Sequence, residues 1–249
     1  MSRLTFTEGN HAYWLADPAG KKQRITSVTT LLGQQAKPQL VAWAAREAAD
    51  YATDNWDALT AMAPSERRKL IAKAADKTRN AKAAKGTAIH SMAEELLAGR
   101  PVEVAADLLP KVESLARWLE RCGLTFTASE RLVWSDEDDE VGLCAYGGKL
   151  DAIAESRARG IGILDWKTGS GVYGDMTLQL AGYDAADWHV VDGVDVPASR
   201  VTWAGIVHIR PDGCDLHTID AAGLAAARAR FDALRALKLL DTPALTQEA

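Results

Sequence analysis

The sequence predicts an α/β (α+β) protein, with a small mixed central β-sheet flanked by helices and a helical N-terminal part. Two observations support this fold class. The first half of the chain is mostly helical in composition, with apolar residues at helical spacing. From Phe126 onward, short β-type segments alternate with turn-rich stretches and helices.

In the N-terminal half, alternating apolar residues on either side of Glu8–Asn10 predict a β-hairpin. Ser27 is suited to cap a short helix that Gly33 ends. Composition predicts a break in the third helical segment at Gly86. The helices expected in this half are Val28–Leu32, Leu40–Ala52, Pro64–Leu97 and Leu108–Cys122.

In the C-terminal half, β-type segments bounded by turn residues predict most of the sheet. The strands expected there are Glu130–Trp134, Val141–Cys144, Gly147–Ala154, Ile161–Trp166, Arg200–Ile209 and Asp215–Ile219. The helices expected there are Asp175–Trp188 and Ala221–Leu239.

Composition excludes several classes of protein. No apolar run approaches the roughly 20 residues of a membrane span, and Met1–Asn10 is polar, so we expect a soluble, cytosolic chain. Three scattered cysteines predict neither a disulfide framework nor a zinc knuckle. We interpret His11, His189, His208 and His217 as structural, and the acidic run Asp136–Glu140 as a solvated loop.

The formal net charge of -5 hides a basic segment between Pro64 and Gly86. Such a local excess of positive charge can neutralise a phosphate track, although a solvated helix face has the same composition. The residues that we consider for DNA binding are Lys69, Lys73, Lys77, Arg79, Lys82 and Lys85.

Two carboxylates and a lysine carry the chemistry that the sequence suggests. If a hairpin turn is centred near Ala158, Asp151 and Asp165 lie opposite each other on paired strands. Closely opposed carboxylates repel unless a cation or a proton lies between them, so the pair is a candidate Mg²⁺ or Mn²⁺ site. Lys167 shares a strand face with Asp165, although such a pair can also be a simple ion pair of an edge strand.

From Gly86 to Tyr183 the chain resembles the RecB-like branch of the PD-(D/E)XK nuclease superfamily, which includes phage and recombination exonucleases. Five short motifs occur in that family's order. They are Gly86-Thr87-Ala88-Ile89-His90, Ser129-Glu130, Gly148-Lys149-Leu150-Asp151, Asp165-Trp166-Lys167-Thr168-Gly169, and Gln179 with Tyr183.

The resemblance implies a metal-dependent deoxyribonuclease, an exonuclease rather than an endonuclease. One or two Mg²⁺ or Mn²⁺ ions would be held by His90, Asp151, Asp165 and the Trp166 carbonyl. Lys167 would position the attacking water. Gln179 and Tyr183 would hold a phosphate or the Lys167 amine, and Glu130 would bind metal directly, bind it through water, or support Lys167.

The resemblance also implies partners and a place of action. We expect DNA with a free end as substrate, a recombination protein as a further candidate partner, no membrane, and a bacterial or phage-infected host cytoplasm. Residues 1–85 would form a DNA-guiding hairpin and helical part, and residues 86–249 the nuclease core. The cysteines are too few for the iron-sulfur cluster of some relatives. The alternatives are a structure-specific or restriction-like endonuclease and a catalytically silent DNA-binding module.

Overall fold

A computed structural model describes residues 1–240 of the chain. In these residues, ten strands form one mixed sheet and seven α-helices accompany it, so the mixed α and β class expected from the sequence is confirmed. The contacts divide the chain into two compact units. The first combines residues 1–34 with the chain from Met92 onward, and the second is residues 35–91.

The second unit is helical. It contains α2 (Pro38–Asp54), α3 (Trp56–Thr60) and most of α4 (Pro64–Leu97), whose last turns belong to the first unit. The break predicted at Gly86 is wrong, because α4 continues through it. A glycine inside a helix costs only about 1 kcal/mol relative to alanine, and strong helix formers surround Gly86.

The first unit contains the sheet and the remaining helices. Its strands are β1 (Leu4–Thr7), β2 (Ala12–Ala16), β3 (Lys22–Ser27), β4 (Leu124–Ser135), β5 (Tyr146–Ser156), β6 (Gly160–Lys167), β7 (Trp188–Val191), β8 (Val194–Pro197), β9 (Trp203–Arg210) and β10 (Gly213–Asp220). Its other helices are α1 (Val28–Leu32), α5 (Leu109–Arg121), α6 (Met176–Asp184) and α7 (Ala221–Leu239).

The sheet branches at β5. One edge of β5 pairs with the antiparallel β4, which continues to β7 and β8. The other edge pairs first with the parallel β3 and then with the antiparallel β6. From β3 the sheet continues to β2 and β1, whereas from β6 it continues to β9 and β10. We call the region of β5 between these two ladders, residues 148–151, the fork.

The main core lies between the sheet and the helices α1, α6 and α7. Its buried side chains include Leu31, Leu150, Leu180 and Phe231, from three helices and the central strand. Side-chain caps fix two of these helices, as Ser27 accepts a hydrogen bond from the Thr30 amide and Asp220 caps α7. The predicted cap of α1 is therefore confirmed, and so is its end at Gly33.

Several elements differ from the sequence-based prediction. Val141–Cys144 is not a strand, since only an isolated bridge between Asp138 and Leu143 forms there. The helix predicted to reach Trp188 ends at Asp184, because Trp188 begins β7 and pairs with Trp134. Strands β3, β7 and β8 were not predicted. No helix in the described part of the chain is long and apolar enough to cross a membrane.

Candidate active and metal site

Asp151 lies at the fork of the sheet. β3 pairs with β5 at Tyr146 and Gly147, whereas β6 pairs with it from Ala152 onward. Asp151 therefore lies just outside the β5–β6 ladder, and its side chain is only 8% exposed. Its Oδ2 atom accepts a 2.8 Å hydrogen bond from the backbone amide of Trp166. At this point a side chain, rather than the β5 backbone, joins the two strands.

The register of the β5–β6 hairpin agrees with the turn centre inferred from the sequence. Ala152 pairs with Leu164, and the ladder ends there. Extended by one residue, the same register places Asp151 opposite Asp165. Asp165 is 1% exposed, and on its other side it pairs with Ile206 of β9. The branching of the sheet thus places two buried carboxyl groups on neighbouring strands.

Lys167 is held from two sides. Its Nζ atom forms an ion pair with Oδ2 of Asp165 and donates a 3.0 Å hydrogen bond to Oε1 of Gln179. The amide nitrogen of Gln179 in turn donates to the hydroxyl oxygen of Tyr183 at 2.9 Å. Gln179 and Tyr183 are one turn apart on α6, so a single helix face supports the amine.

Tyr183 provides a neutral hydroxyl at the end of this chain of hydrogen bonds. Burial raises its pKa well above the ordinary value, and the charges of Asp165 and Asp151 raise it further. The phenol therefore stays protonated at neutral pH. Its ring lies against Gly148, where a Cβ atom would come within 2.8 Å of Cε1 of Tyr183. The absence of a side chain at position 148 leaves room for this ring.

Glu130 adds a third carboxylate. The neighbouring pairs of the β4–β5 ladder place it opposite Asp151, and its φ of 50° lies in the left-handed region, which is uncommon for a residue other than glycine. It forms an ion pair with Lys149. Burial raises the pKa of Glu130, Lys149 lowers it, and the charges of Asp151 and Glu94 raise it again. Its side chain thus belongs to the same acidic cluster.

Acidic side chains at the fork and on the two strands beside it could hold a metal ion. Glu130, Asp151 and Asp165 come from three adjacent strands, and carboxylate oxygens of Glu130 and Asp151 lie within 4.8 Å of each other. Like charges that are close and largely buried are stabilised by a cation between them. The chain therefore contains groups of acidic side chains that could bind a metal ion.

The remaining predicted site residues are Trp166, His90 and the basic residues of α4. The ring of Trp166 packs against Trp118 and Phe126, with centroids 6.3 and 6.2 Å apart, and a ligand role for its carbonyl stays a prediction. His90 is half-buried on α4 in the second unit, one turn before Glu94. The basic residues considered for DNA binding are all exposed on α4, and they are Lys69, Lys73, Lys77, Arg79, Lys82 and Lys85.

The segment that follows Lys167 is held in place by hydrogen bonds to its carbonyl groups. The Thr168 carbonyl accepts a 2.8 Å hydrogen bond from Nζ of Lys111 on α5. The Gly169 carbonyl lies 2.9 Å from Nε2 of His208 on β9. Two side chains from different elements therefore fix the chain just after the acid-x-lysine motif.

The structure also brings together residues that the sequence analysis treated as structural. His208, Asp215 and His217 each offer one ligand atom, and these atoms lie within 4.8 Å of one another. The two strands that carry them were predicted, and so was the turn between them. Centring that turn between Pro211 and Asp212 would have placed Asp215 opposite His208, so the sequence contained enough information to pair these two residues.

No model of a protein family matches the chain, and no curated protein is similar to it. Among solved structures, one described as the crystal structure of SSO0001 shares 17% sequence identity with it, at a TM-score of 0.32. That match covers 56% of this chain and 61% of the other chain. Similarity at this level does not bear on either the fold or the function.

Proposed function

We propose that this protein is a metal-dependent DNA exonuclease of the PD-(D/E)XK superfamily that hydrolyses phosphodiester bonds in recombination, repair or phage DNA processing. The observation that carries the proposal is the placement of Lys167 between Asp165 and Gln179, with Asp165 opposite the buried Asp151 in the register of β5 and β6. An ion pair that only stabilised an edge strand would need neither the second buried acid nor the glutamine.

The proposed ligands of the metal are Asp151, Asp165, the Trp166 carbonyl and His90. His90 is included because Gly86-Thr87-Ala88-Ile89-His90 resembles the family's helical motif. A bound Mg²⁺ or Mn²⁺ ion supplies Lewis acidity that polarises the scissile phosphate and favours ionisation of the attacking water. Glu130 supports the cluster through its negative charge.

The other side chains position the attacking water and stabilise the charge that develops on the phosphate. Nζ of Lys167 orients the attacking water and stabilises negative charge that builds on the phosphate. Gln179 holds this amine in place through its carbonyl oxygen. Tyr183 acts on Lys167 only through Gln179, because its neutral hydroxyl accepts a hydrogen bond from the Gln179 amide. We therefore assign Gln179 to positioning Lys167 rather than to direct phosphate binding.

The test is cleavage of linear duplex DNA by the purified chain, with and without Mg²⁺ or Mn²⁺. We expect Lys167→Ala and Asp165→Asn to lower the rate about 100-fold or more, because each removes a group that acts on the reacting atoms. The Lys167 variant should keep most of its DNA binding. Lys21→Ala, at an exposed lysine of the first unit, is the matched control.

The same assay separates the alternatives. An exonuclease shortens linear DNA progressively and leaves covalently closed circles intact, whereas an endonuclease converts relaxed circles to linear products. A silent binding module retains DNA without cutting either substrate. Near wild-type cleavage by either site variant, with circular dichroism showing that it is folded, would show that the site is wrongly assigned.

A further inference from the structure

The hairpin of β9 and β10 carries a cluster of two imidazoles and a carboxylate. Asp215 pairs directly with His208 across the hairpin, and His217 follows Asp215 by two residues on the same strand face. The two imidazole centroids are 6.4 Å apart. The hairpin thus brings together three side chains of the types that bind transition metals.

His208 is oriented as a metal ligand usually is. The residue is 7% exposed, and its Nε2 atom lies 2.9 Å from the carbonyl oxygen of Gly169. A carbonyl can only accept, so Nε2 carries the proton and Nδ1 carries the lone pair in the neutral ring. A hydrogen bond from one ring nitrogen to a carbonyl commonly fixes the tautomer and orientation of a metal-bound histidine.

Asp215 and His217 are accessible to an ion from solvent. Both residues are exposed, in contrast to His208. Asp215 forms an ion pair with Arg210 through Oδ2, which holds the carboxylate on this side of the hairpin. The cluster therefore combines one buried and fixed ligand with two exposed ones.

We propose that His208, Asp215 and His217 form a second metal site, distinct from the acidic cluster at the fork, that takes a borderline divalent transition-metal ion such as Zn²⁺. Two imidazoles and one carboxylate form a ligand set that zinc uses in proteins, and three protein ligands leave a coordination position open. A set with two nitrogens suits zinc better than magnesium, which prefers oxygen throughout.

The cluster lies next to the candidate active site, so an ion bound there would act on the chain around Lys167. Lys167 and His208 are paired in the parallel β6–β9 ladder. His208 also holds the carbonyl of Gly169, two residues beyond Lys167. An ion bound to His208 restricts this imidazole, and through it the segment that follows Lys167. The site itself does not depend on the proposed nuclease function.

The test is calorimetric titration of Zn²⁺ into the full chain, without a histidine tag and after treatment with a chelator. We expect His217→Ala and Asp215→Asn each to weaken binding more than about tenfold, since loss of even an indirect metal partner costs that much. His11→Asn replaces another exposed histidine and should leave binding unchanged. Asp151→Asn, at the fork, should retain this Zn²⁺ site.

Three outcomes would overturn the proposal: a wild-type chain that binds no Zn²⁺, unchanged binding in both hairpin variants, or loss of all Zn²⁺ binding in the Asp151 variant. Circular dichroism checks that each variant is folded. DNA is absent from the titration, so its result is independent of the cleavage assay. Zn²⁺ binding without cleavage would contradict only the nuclease proposal, and cleavage without Zn²⁺ binding only this one.

Discussion

At the residue scale, Gly148 lies where the candidate site meets the core. A Cβ atom there would come within 2.8 Å of the Tyr183 ring and 3.0 Å of Cγ2 of Val28. Both neighbours are buried, on α6 and α1, so neither can move without disturbing the core. The position of the Tyr183 hydroxyl, and with it the hydrogen bonds to Gln179 and Lys167, therefore depends on this glycine.

We expect Gly148→Ala to lower the free energy of unfolding by about 1–3 kcal/mol, the usual cost of overpacking a core. It should also lower the DNA cleavage rate, because Tyr183 must shift. Denaturant unfolding measures the first effect. Gly213→Ala is the control, since no atom lies within 4 Å of a Cβ at that position. Equal stability of the two variants would contradict the packing argument.

His189 gives a pH dependence that is separate from the site. It lies half-buried on β7, and burial, followed by the charge of Arg131, lowers its pKa. As pH falls below the ordinary value of about 6.5, the unfolded chain binds a proton at His189 before the folded chain does. The stabilising contribution of neutral His189 is full above that value and is lost as pH falls through the folded pKa.

We therefore expect the melting temperature of the wild type to fall more between neutral and mildly acidic pH than that of His189→Gln. Differential scanning calorimetry at several pH values measures the difference. His11→Asn, at an exposed histidine, should follow the wild type. If His189→Gln loses as much stability on acidification as the wild type, then the burial of this imidazole does not produce the effect.

The sequence predicted the centre of the site better than its surroundings. Asp151 and Asp165 could be paired because a short turn fixes the register of a hairpin, which needs only counting from Ala158. The ion pair between Glu130 and Lys149 could not be predicted in this way. It depends on a register shift in β4 between Phe126 and Ala128, and no residue in that segment is of a type that predicts a bulge.

At the scale of elements, α4 presents a regular basic surface. Lys69, Lys73 and Lys77 are exposed and four residues apart, so they share a face of the helix. Near it, Lys82 lies over the ring of Trp43 at 5.5 Å from the centroid. Sequence composition was sufficient to predict this basic helix, because exposed helix positions are decided by propensity rather than by packing.

We expect simultaneous reversal of Lys69, Lys73 and Lys77 to glutamate to weaken DNA binding and to flatten its dependence on salt. The slope should change by as much as about 0.9 for each phosphate contact that is lost. Fluorescence anisotropy over a range of salt concentrations measures both effects. Reversal of Lys21, Lys22 and Lys238, which are also exposed, changes the net charge equally and serves as the control.

If the α4 variant keeps the wild-type affinity and salt slope, then this basic surface is a solvated helix face without a role in DNA binding. A loss of the same size in the control variant would show that net charge, rather than the α4 surface, determines the affinity. The functional division of the chain at residue 86 is a prediction that these measurements also address. The compact units, by contrast, are divided at residues 34/35 and 91/92.

Three short strands are among the elements that the sequence did not predict. β3 begins with Lys22, Gln23 and Arg24, all exposed, so it lacks the apolar alternation by which strands are recognised. β7 and β8 have four residues each and form a small hairpin at the edge of the sheet. Pairing with strands already in place, rather than local preference, determines these three elements.

At the scale of the whole molecule, the branching of the sheet is the feature that local patterns cannot predict. The sequence indicates which segments are strands, but the pairing of Thr26 with Tyr146 joins segments that are distant along the chain. Hairpins such as β5–β6 and β9–β10 could be anticipated because a single turn connects each pair. The site is partly predictable because Asp151 and Asp165 lie on a hairpin of this local kind.

The fork has a consequence for the order in which the chain folds. One edge of β5 receives a strand from nearby in sequence, β6, and a strand synthesised long before it, β3. Closing a short loop costs less entropy than closing a long one, so we expect β5 and β6 to pair first. The exposed cations at the start of β3 would meanwhile oppose its pairing with other chains.

Pulsed hydrogen exchange during refolding tests this order. The amides of Gly162 and Leu164, which face β5, should be protected no later than those of Thr26 and Ser27, and earlier protection of β3 would contradict this order. The same order implies that the carboxyl groups of Asp151 and Asp165 approach each other while the fork is still open to water. Ions present in the refolding buffer would then screen the two charges before β3 pairs with β5.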